Sequence, residues 1–288
     1  MTTETTTYRL AVIGAGVMGV GISALALGRG VSVVLVDIDP VRREQARDRV
    51  EQELRLSQFM GGRDKDGPVG ELVTTGSLAD VAGVDAVIEA VTEEAPLKVK
   101  ALTEVSAVVA EGTLLVTNTS SIPVDETAHQ VPRPEDLVGI HFMNPSYLIR
   151  TVEVIPGSRT GEAALASVKE LLTVLDRRGV FVGDGPGFVT SAVLHRMIND
   201  AIRIVGEGRA SIEDVDTLMQ DCLGHRTGPL RTADLIGLDN LADSLRVLHE
   251  RTGDEGCRPA ELLLHKVREG HHGRKSGRGF YVYGAVIA

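Results

Sequence analysis

The chain has 288 residues, of which 43% are hydrophobic and 24% are charged, and its formal net charge at pH 7 is −10. This length and composition predict a globular protein with two ordinary domains and substantial cores. The acidic balance argues against nucleic acid or an anionic membrane as a partner, and no dense basic run contradicts it.

Targeting and redox signals are sparse. Residues 1–9, MTTETTTYR, are polar, so we expect them to be frayed, and they lack the apolar core of a signal peptide. No uninterrupted apolar stretch reaches the length that spans a membrane. Cys222 and Cys257 lie far apart without a metal-ligand pattern, so we expect free thiols. These signals predict a cytoplasmic protein without a bound metal.

Two apolar runs separated by a glycine-rich turn form the first predicted elements. Leu10–Ile13 and Val31–Val36 predict strands, and the small residues between them predict a helix. The turn is Gly14, Ala15, Gly16, Val17, Met18 and Gly19. Its three glycines permit a tight turn, a close approach of a pyrophosphate to the backbone, and close packing of helix on strand. Because the helix also presents unpaired N–H groups to phosphates, the turn predicts a dinucleotide site. The expected cofactor-binding residues are Gly14, Gly16, Val17, Met18 and Gly19.

Asp37 closes the second strand, 18 residues after Gly19. There its carboxylate can accept hydrogen bonds from the ribose hydroxyls of an adenosine. A carboxylate at this position would repel a 2′-phosphate, so Asp37 favours NAD over NADP. Arg42 and Arg43 follow soon after, and they leave NADP disfavoured but not excluded.

Strands and helices alternate along the rest of the first half. Pro40 to about Met60 predicts a charged helix, and Pro96–Ala110 predicts another with apolar residues at helical spacing. Further strands are predicted at Glu71–Thr75, Val84–Glu89, Thr113–Thr117, Leu137–Ile140, Thr151–Ile155 and Gly179–Val182. This alternation predicts a Rossmann-type α/β fold with a doubly wound, mainly parallel sheet.

The glycine-rich turn Gly183–Gly187 marks a domain boundary. From Phe188 onward apolar residues recur at helical spacing. Further helices are predicted to begin at Ser211 and to span Leu238–Glu250 and Pro259–Glu269. We therefore predict a Rossmann-type domain over residues 1–184 and an all-helical C-terminal domain over residues 185–288.

The residues just after the predicted strands carry most of the chemistry, because ligands bind outside the carboxyl ends of such strands. Asn118–Ser121 follow one strand, and His141 follows the next. Glu153 lies twelve residues after His141 on the strand beyond, so a return connection can bring its carboxylate beside the imidazole. Such a pair can act as a general acid–base, with the carboxylate holding the ring in one tautomer.

Several stretches of the sequence resemble the L-3-hydroxyacyl-CoA dehydrogenase family in composition, order and spacing. They are GAGVMGVGI, IEAVTEEAPLKVK, TNTSSIPV, GIHFMNPSYLIRTVEVI, GDGPGFVTS, GPLRTADLIGLD and GRKSGRGFYVY. The resemblance covers nearly the whole chain and implies NAD-dependent, reversible hydride transfer at the hydroxyl of a 3-hydroxyacyl thioester. It also implies an NAD-binding domain, a helical domain that usually forms a homodimer interface, and an active site in the cleft between them.

The resemblance assigns roles to single residues. His141 resembles the catalytic histidine of the family, and Glu153 resembles its carboxylate partner. Ser120 resembles the serine that bonds the substrate oxygen and approaches the nicotinamide, and Asn144 resembles the residue that shapes the active-site loop. Ser120 and Asn144 are therefore expected near both substrate and cofactor. Further cofactor-side positions are Glu93, Lys98 and Lys275.

The chain departs from the family at three places. Ser191 stands where relatives have an asparagine that bonds the substrate, so we expect Ser191 to bind substrate with a shorter reach. Glu53 and Met60 fall near the serine and lysine with which relatives contact CoA. Tyr147 and Arg150 make the loop after the catalytic histidine more polar than in many relatives.

These departures resemble a branch of the family found in polyketide biosynthesis. That branch oxidises the primary hydroxyl of a glyceryl group held as a thioester on an acyl carrier protein, in pathways to hydroxymalonyl and methoxymalonyl units. The substrate is therefore either a carrier-protein thioester or a 3-hydroxyacyl-CoA. An acidic carrier protein would need a local basic patch, such as Arg177-Arg178 or Arg274-Lys275.

A non-catalytic dinucleotide-binding or structural relative is the alternative of a different class. Ser191 is its main support in the sequence. The intact set of Ser120, His141 and Glu153 argues against it.

Overall fold

The computed structural model describes residues 8–283. The expectation of a frayed N-terminus concerns residues 1–9, of which residues 1–7 lie outside the described part; it is wrong at Arg9, which begins the first strand of the sheet. The chain divides into two compact units, Met1–Gly185 and Pro186–Ala288. Within the described residues, no helix combines the length and apolar character needed to cross a membrane.

The first unit is built on one eight-stranded sheet with the strand order β3-β2-β1-β4-β5-β6-β7-β8. Its strands are β1 (Arg9–Ile13), β2 (Ser32–Val36), β3 (Leu72–Thr75), β4 (Ala86–Glu89), β5 (Leu114–Thr117), β6 (Leu137–His141), β7 (Thr151–Pro156) and β8 (Arg178–Phe181). All neighbouring pairs are parallel except β6 and β7. The predicted Rossmann-type, mainly parallel sheet is therefore confirmed.

The strands β4, β5 and β6 are buried along their whole length. Strands that are covered by helices on both faces read as continuous apolar runs, which is how these strands appear in the sequence. Their ends meet at one edge of the sheet, and the candidate site lies at that edge.

Five helices accompany the sheet: α1 (Val17–Leu27), α2 (Pro40–Phe59), α3 (Ala95–Ser106), α4 (Val124–Ala128) and α5 (Glu162–Val174). Asp39 caps α2 by accepting a hydrogen bond from Val41 N at 2.9 Å, and Pro40 occupies the first helical position. The predicted end of α3 at Ala110 is wrong, because the helix ends four residues earlier, at Ser106. Val109 is buried in the turn that follows, so the apolar spacing outlasts the helix.

The second unit is helical, as predicted, and consists of α6 (Thr190–Gly206), α7 (Ile212–Asp221), α8 (Pro229–Ile236), α9 (Leu238–Thr252) and α10 (Glu261–Arg268). Ser211 caps α7 by accepting a hydrogen bond from Asp214 N at 3.0 Å. The sequence did not predict the short helix α4, nor the longer helices α5 and α8. Both longer helices have buried apolar residues at helical spacing, such as Leu171 in α5 and Leu230 in α8.

Two buried carboxylates fasten the C-terminal segment to the helical core. Asp234 accepts hydrogen bonds from Phe280 N at 2.8 Å, Tyr281 N at 2.9 Å and the Tyr283 hydroxyl at 3.0 Å. Asp216 accepts from Leu230 N and from the Tyr281 hydroxyl, both at 2.8 Å. Burial, and then the charge of Asp234, raise the pKa of Tyr283 to about 12, so its hydroxyl stays a donor.

Candidate active site

The glycine-rich turn joins β1 to α1 in a geometry that only glycine permits at two positions. Gly14 has a φ of +105°, in the region that side-chain-bearing residues rarely adopt. A Cβ on Gly19 would lie 1.8 Å from the carbonyl oxygen of Gly14. These two residues therefore fix the path of the turn and the contact of helix with strand.

Gly16 differs from both, because the space around it is open. A Cβ at Gly16 would meet nothing within 4 Å. It is the N-cap of α1, yet no side chain caps the helix and its first turn carries no acidic residue. Val17, beside it, is 63% exposed. The first N–H groups of α1 therefore face an open region, as an anion-binding helix N-terminus requires.

Asp37 ties the end of β2 to this turn. Its carboxylate accepts hydrogen bonds from Ala15 N at 2.7 Å and from Asp39 N at 2.8 Å. Arg43 and Arg49, which the sequence analysis did not connect to the turn, donate to the carbonyl oxygens of Asp37 at 2.9 Å and Ala15 at 2.8 Å. The acid is thus held beside the glycine turn.

His141 and Glu153 lie directly opposite each other on the antiparallel strands β6 and β7. The distance from His141 Nδ1 to Glu153 Oε2 is 2.8 Å, and both side chains are buried. Asn118 accepts a hydrogen bond from Phe142 N at 3.0 Å, which connects the end of β5 to the residue after the histidine. The sequence predicted the pair, but the part played by Asn118 is visible only in the structure.

The Ser120 segment is gathered around the carboxylate of Glu93. One oxygen, Oε1, accepts from Thr119 Oγ1 at 2.6 Å, Ser120 N at 2.8 Å, Ser121 N at 3.0 Å, Ser121 Oγ at 3.1 Å and Ser120 Oγ at 3.3 Å. The Glu93 side chain is 33% exposed. Its role within the ligand-free chain is to hold the loop that follows β5.

Behind Glu93, Lys98 is completely buried between two carboxylates. Lys98 Nζ lies 3.0 Å from Glu89 Oε1 and 3.1 Å from Glu93 Oε2. Burial lowers the pKa of Lys98, but the charges of Glu89 and then Glu93 outweigh it, and the net pKa is raised. Burial raises the pKa of Glu93, but Lys98 and the hydrogen bonds from residues 119–121, here called the serine loop, bring the net pKa below its usual value. Lys98 and Glu93 are therefore ionised near neutral pH.

The loop after His141 is supported from beneath by Arg177. The Arg177 guanidinium donates to the carbonyl oxygens of Ser146 at 3.0 Å and Tyr147 at 3.1 Å. Burial, and then the neighbouring Arg29, lower the pKa of Arg177 to about 10. Asn144, at the start of this loop, is exposed.

Tyr147 and Arg150 each interact with another side chain of the first unit. The Tyr147 hydroxyl donates to Glu53, and burial together with this hydrogen bond raises the pKa of Tyr147 to about 12. Arg150 forms an ion pair with Asp176. Both polar groups therefore have partners within the first unit.

The other sequence-predicted residues lie in the helical unit. Ser191 is buried in the first turn of α6, and Lys275 is exposed with Nζ 2.7 Å from Asp239 Oδ2. Across residues 8–283, no cluster of three or more His, Cys, Asp or Glu side chains is arranged to hold a metal ion.

Family models match both units. The model described as 3-hydroxyacyl-CoA dehydrogenase, NAD binding domain, matches residues 9–185, and the model of the C-terminal domain of the same enzymes matches residues 187–283. The chain belongs to the 3-hydroxyacyl-CoA dehydrogenase family. Its first unit is an NAD-binding domain, and NAD is its cofactor.

Individual family members agree over the full length. A probable 3-hydroxybutyryl-CoA dehydrogenase of Bacillus subtilis is 37% identical over 278 residues, which cover 96% of this chain and 97% of the relative. The crystal structure of M. tuberculosis FadB2 has a TM-score of 0.90 at 35% identity and covers 96% of this chain and 99% of that one. The structure of (S)-3-hydroxybutyryl-CoA dehydrogenase PaaH1 from Ralstonia eutropha has a TM-score of 0.86 at 35% identity, covering 97% and 100%.

The residues of the first unit fit NAD. The open backbone at Gly16 and the uncapped first turn of α1 can hold a pyrophosphate, and the carboxylate of Asp37 can accept ribose hydroxyls. The contacts of Gly14, Gly16, Val17, Met18, Gly19 and Asp37 with the cofactor remain predictions, as do those of Glu93, Lys98, Ser120, Asn144 and Lys275.

Two glycine-to-alanine substitutions in the turn should have opposite effects. Gly16→Ala should leave the thermal stability of the ligand-free protein nearly unchanged, because the added methyl group meets no atom. It should weaken NADH binding by about 10–100-fold, since the loss of a hydrogen bond to a charged group costs about 1.5–3 kcal/mol. Gly19→Ala should instead destabilise the protein by about 1–3 kcal/mol, because the methyl group clashes with the turn.

The two measurements are fluorescence titration with NADH and denaturant unfolding without it. Gly19→Ala serves as the matched comparison, with the same chemical change three residues away. Unchanged NADH affinity in Gly16→Ala would show that the pyrophosphate does not approach the backbone at this residue.

Proposed function

We propose that the chain is an NAD-dependent dehydrogenase that oxidises the hydroxyl group of a 3-hydroxyacyl thioester. The observation that carries the proposal is the buried His141–Glu153 pair, 2.8 Å apart on neighbouring strands of an NAD-binding sheet. The names of the relatives from Bacillus subtilis and Ralstonia eutropha, both 3-hydroxybutyryl-CoA dehydrogenases, support the class of substrate.

In the oxidative direction, Nε2 of His141 takes the proton from the substrate hydroxyl. The Glu153 carboxylate accepts the Nδ1–H of the same ring, which fixes the tautomer and stabilises the imidazolium that forms. The Ser120 hydroxyl positions the substrate oxygen. Bound NAD supplies the hydride acceptor. In the reverse direction the protonated His141 returns the proton to the carbonyl oxygen.

His141→Ala tests this acid–base assignment. We expect kcat to fall by about 10²–10⁴-fold, the usual contribution of general acid–base catalysis. NADH affinity should stay within about twofold, since the nucleotide is held elsewhere in the sheet. The measurements are steady-state NADH formation from 3-hydroxybutyryl-CoA and fluorescence titration with NADH.

His265→Ala is the control, because His265 is an exposed histidine of α10 paired with Glu269. It should behave like the wild type. Near-native turnover in His141→Ala would refute the assignment. A wild-type protein that binds NADH but oxidises no 3-hydroxyacyl thioester would support the non-catalytic alternative.

A second candidate concerns the carrier of the thioester. Glu53 and Met60 fall near the serine and lysine with which relatives are expected to contact CoA. Glu53 is hydrogen-bonded to Tyr147, and Met60 is an uncharged, 54% exposed side chain. We propose that the acyl group, such as a glyceryl group, is presented on an acyl carrier protein for hydroxymalonyl or methoxymalonyl biosynthesis. Ser191 would then bond the 2-hydroxyl of the substrate.

An acidic carrier protein requires a basic patch, and not all of the arginines named for it are exposed. Arg177 is buried under the loop after His141, so it is no part of such a patch. Arg178 is exposed at the start of β8, and Arg274 is exposed beside the ion-paired Lys275. Of the two patches named from the sequence, Arg178 and Arg274 are therefore exposed to a carrier protein.

Turnover of the two thioesters separates the candidates. If the substrate is carrier-bound, kcat/KM for glyceryl-acyl carrier protein should exceed that for 3-hydroxybutyryl-CoA by about tenfold or more, a typical discrimination between substrates. Met60→Lys should improve kcat/KM for the CoA thioester alone, because it restores a cation for a CoA phosphate. Phe59→Lys, which adds the same charge at an exposed neighbour, is the control. Equal or faster turnover of the CoA thioester by the wild type would refute the carrier-protein candidate.

We also propose that the chain works in the cytoplasm as a homodimer formed through its helical unit. A cavity of about 670 Å³ on that unit is lined largely by apolar side chains, including Val193, Met197 and Leu248. Exposed apolar surface of this kind supports an interface between copies. Cys222 and Cys257 are free thiols, as a reducing compartment allows. Sedimentation velocity should give twice the chain mass, and a monomer at micromolar concentration would contradict the proposal.

A further inference from the structure

The resemblance placed Lys98 among the residues that contact the cofactor, but its ammonium group is occupied elsewhere. The side chain is 0% exposed. Nζ lies 3.0 Å and 3.3 Å from the two oxygens of Glu89, 3.1 Å from Glu93 Oε2 and 3.5 Å from the carbonyl oxygen of Val91. A cation surrounded by these four acceptors has no donor left to offer a ligand.

The two carboxylates that enclose Lys98 each hold a neighbouring strand end. Glu89, the last residue of β4, accepts from Thr117 Oγ1 at 2.7 Å and from Val91 N at 2.8 Å. Glu93 gathers five donors from residues 119–121 on its other oxygen. A continuous chain of hydrogen bonds therefore runs from Glu89 through Lys98 and Glu93 to Ser120.

We propose that Glu89 and Lys98 are positioning residues for Ser120 and act on it through Glu93. The proposal deepens the proposed function and rests on it, because Ser120 matters only if it holds the substrate oxygen. Glu89 fixes the ammonium group, the ammonium group keeps Glu93 ionised, and the ionised carboxylate fixes the serine loop.

Ionisation of Glu93 is what makes this chain of contacts work. An ionised carboxylate is purely an acceptor, so it can serve all the donors of the loop. A protonated Glu93 would carry a donor of its own and lose part of that capacity. Burial favours the protonated form, and Lys98 provides the largest opposing influence. Removing the cation should therefore raise the pKa of Glu93.

Lys98→Met tests the proposal, because methionine keeps the length of the side chain and removes the charge. At pH 7 we expect kcat with 3-hydroxybutyryl-CoA to fall by about 10²-fold, as misplacement of a positioning group by about 1 Å can cause. NADH affinity should stay within about twofold. The control is Lys100→Met, the same change on an exposed lysine of the same helix, which should have no effect.

The pH dependence of kcat distinguishes positioning through Glu93 from a structural role. Once the cation is lost, the influence that opposes the burial of Glu93 is removed, and burial favours its protonated form. The variant should therefore lose kcat as the pH falls through this raised pKa, at a higher pH than the wild type, and regain it toward alkaline pH. A structural defect would lower kcat or the melting temperature without moving the acidic limb.

A second variant covers the case in which Lys98→Met does not fold, since it leaves two carboxylates facing each other. Glu89→Gln combined with Lys98→Met makes the buried pair neutral while Glu93 still lacks its cation. It should fold and show the same low kcat and the same displaced acidic limb.

Three results would overturn the proposal. They are a wild-type kcat, an unmoved acidic limb, or a rise in the NADH dissociation constant of tenfold or more at unchanged saturating kcat. The last would make Lys98 a direct cofactor ligand. Failure of the proposed function is separately visible, because it would appear as an inactive wild type or an active His141→Ala.

Discussion

A carboxylate inside a protein needs hydrogen-bond donors or a cation around it, and Asp37, Glu89 and Glu153 at this edge of the sheet all have such partners. Backbone N–H groups surround Asp37 after β2, the ammonium group of Lys98 compensates Glu89 at the end of β4, and the imidazole of His141 meets Glu153 on β7. Each of these contacts also fixes a part of the candidate site: the glycine turn, the loop of residues 119–121 or the His141–Glu153 pair. The contacts that stabilise the buried carboxylates are therefore the same contacts that fix the geometry of the site.

The reversed direction of β7 is what brings His141 and Glu153 together. In an antiparallel pair, residues directly opposite each other point to the same face with adjacent side chains. His141 is paired with Glu153, and a slip of one residue would present Val152 or Val154 instead. Both valines are buried, so hydrophobic burial on either side of the glutamate maintains the register on which the pair depends.

Much of the fold could be predicted because its signals are local. The glycine turn, Asp37 and the apolar strands need only short stretches of sequence, and the family resemblance extended them to a confirmed fold and cofactor. The end of α3 could not be predicted, because Val109 is buried without being helical. The His141–Glu153 pair was within reach because neighbouring strands in sequence often pair in space.

Partners that come from distant elements were beyond the sequence. Lys98 lies on the buried face of α3 with Leu102 and Val105, but the sequence does not show which groups compensate its charge there, nor that Arg177 lies beneath the loop after His141. The sequence likewise does not show the hydrogen bond between Tyr147 and Glu53, which satisfies both polar groups within the first unit. From the sequence, Lys98, Arg177 and Tyr147 are expected at the surface or beside a ligand. In the structure, tertiary contacts within the first unit satisfy their polar groups.

The contacts of Asp216 and Asp234 with residues 280–283 set the order in which the two units can fold during translation. Asp216 and Asp234 are buried in the helical unit, and their donors include residues 280–283, synthesised long after them. Until the ribosome has released that segment, Asp234 lacks the donors of Phe280, Tyr281 and Tyr283, and Asp216 lacks the Tyr281 hydroxyl, so the helical core stays incomplete. The sheet of the first unit needs no residue beyond Gly185, so it can fold while translation continues. A nascent chain therefore has a complete nucleotide-binding unit before its helical unit can close.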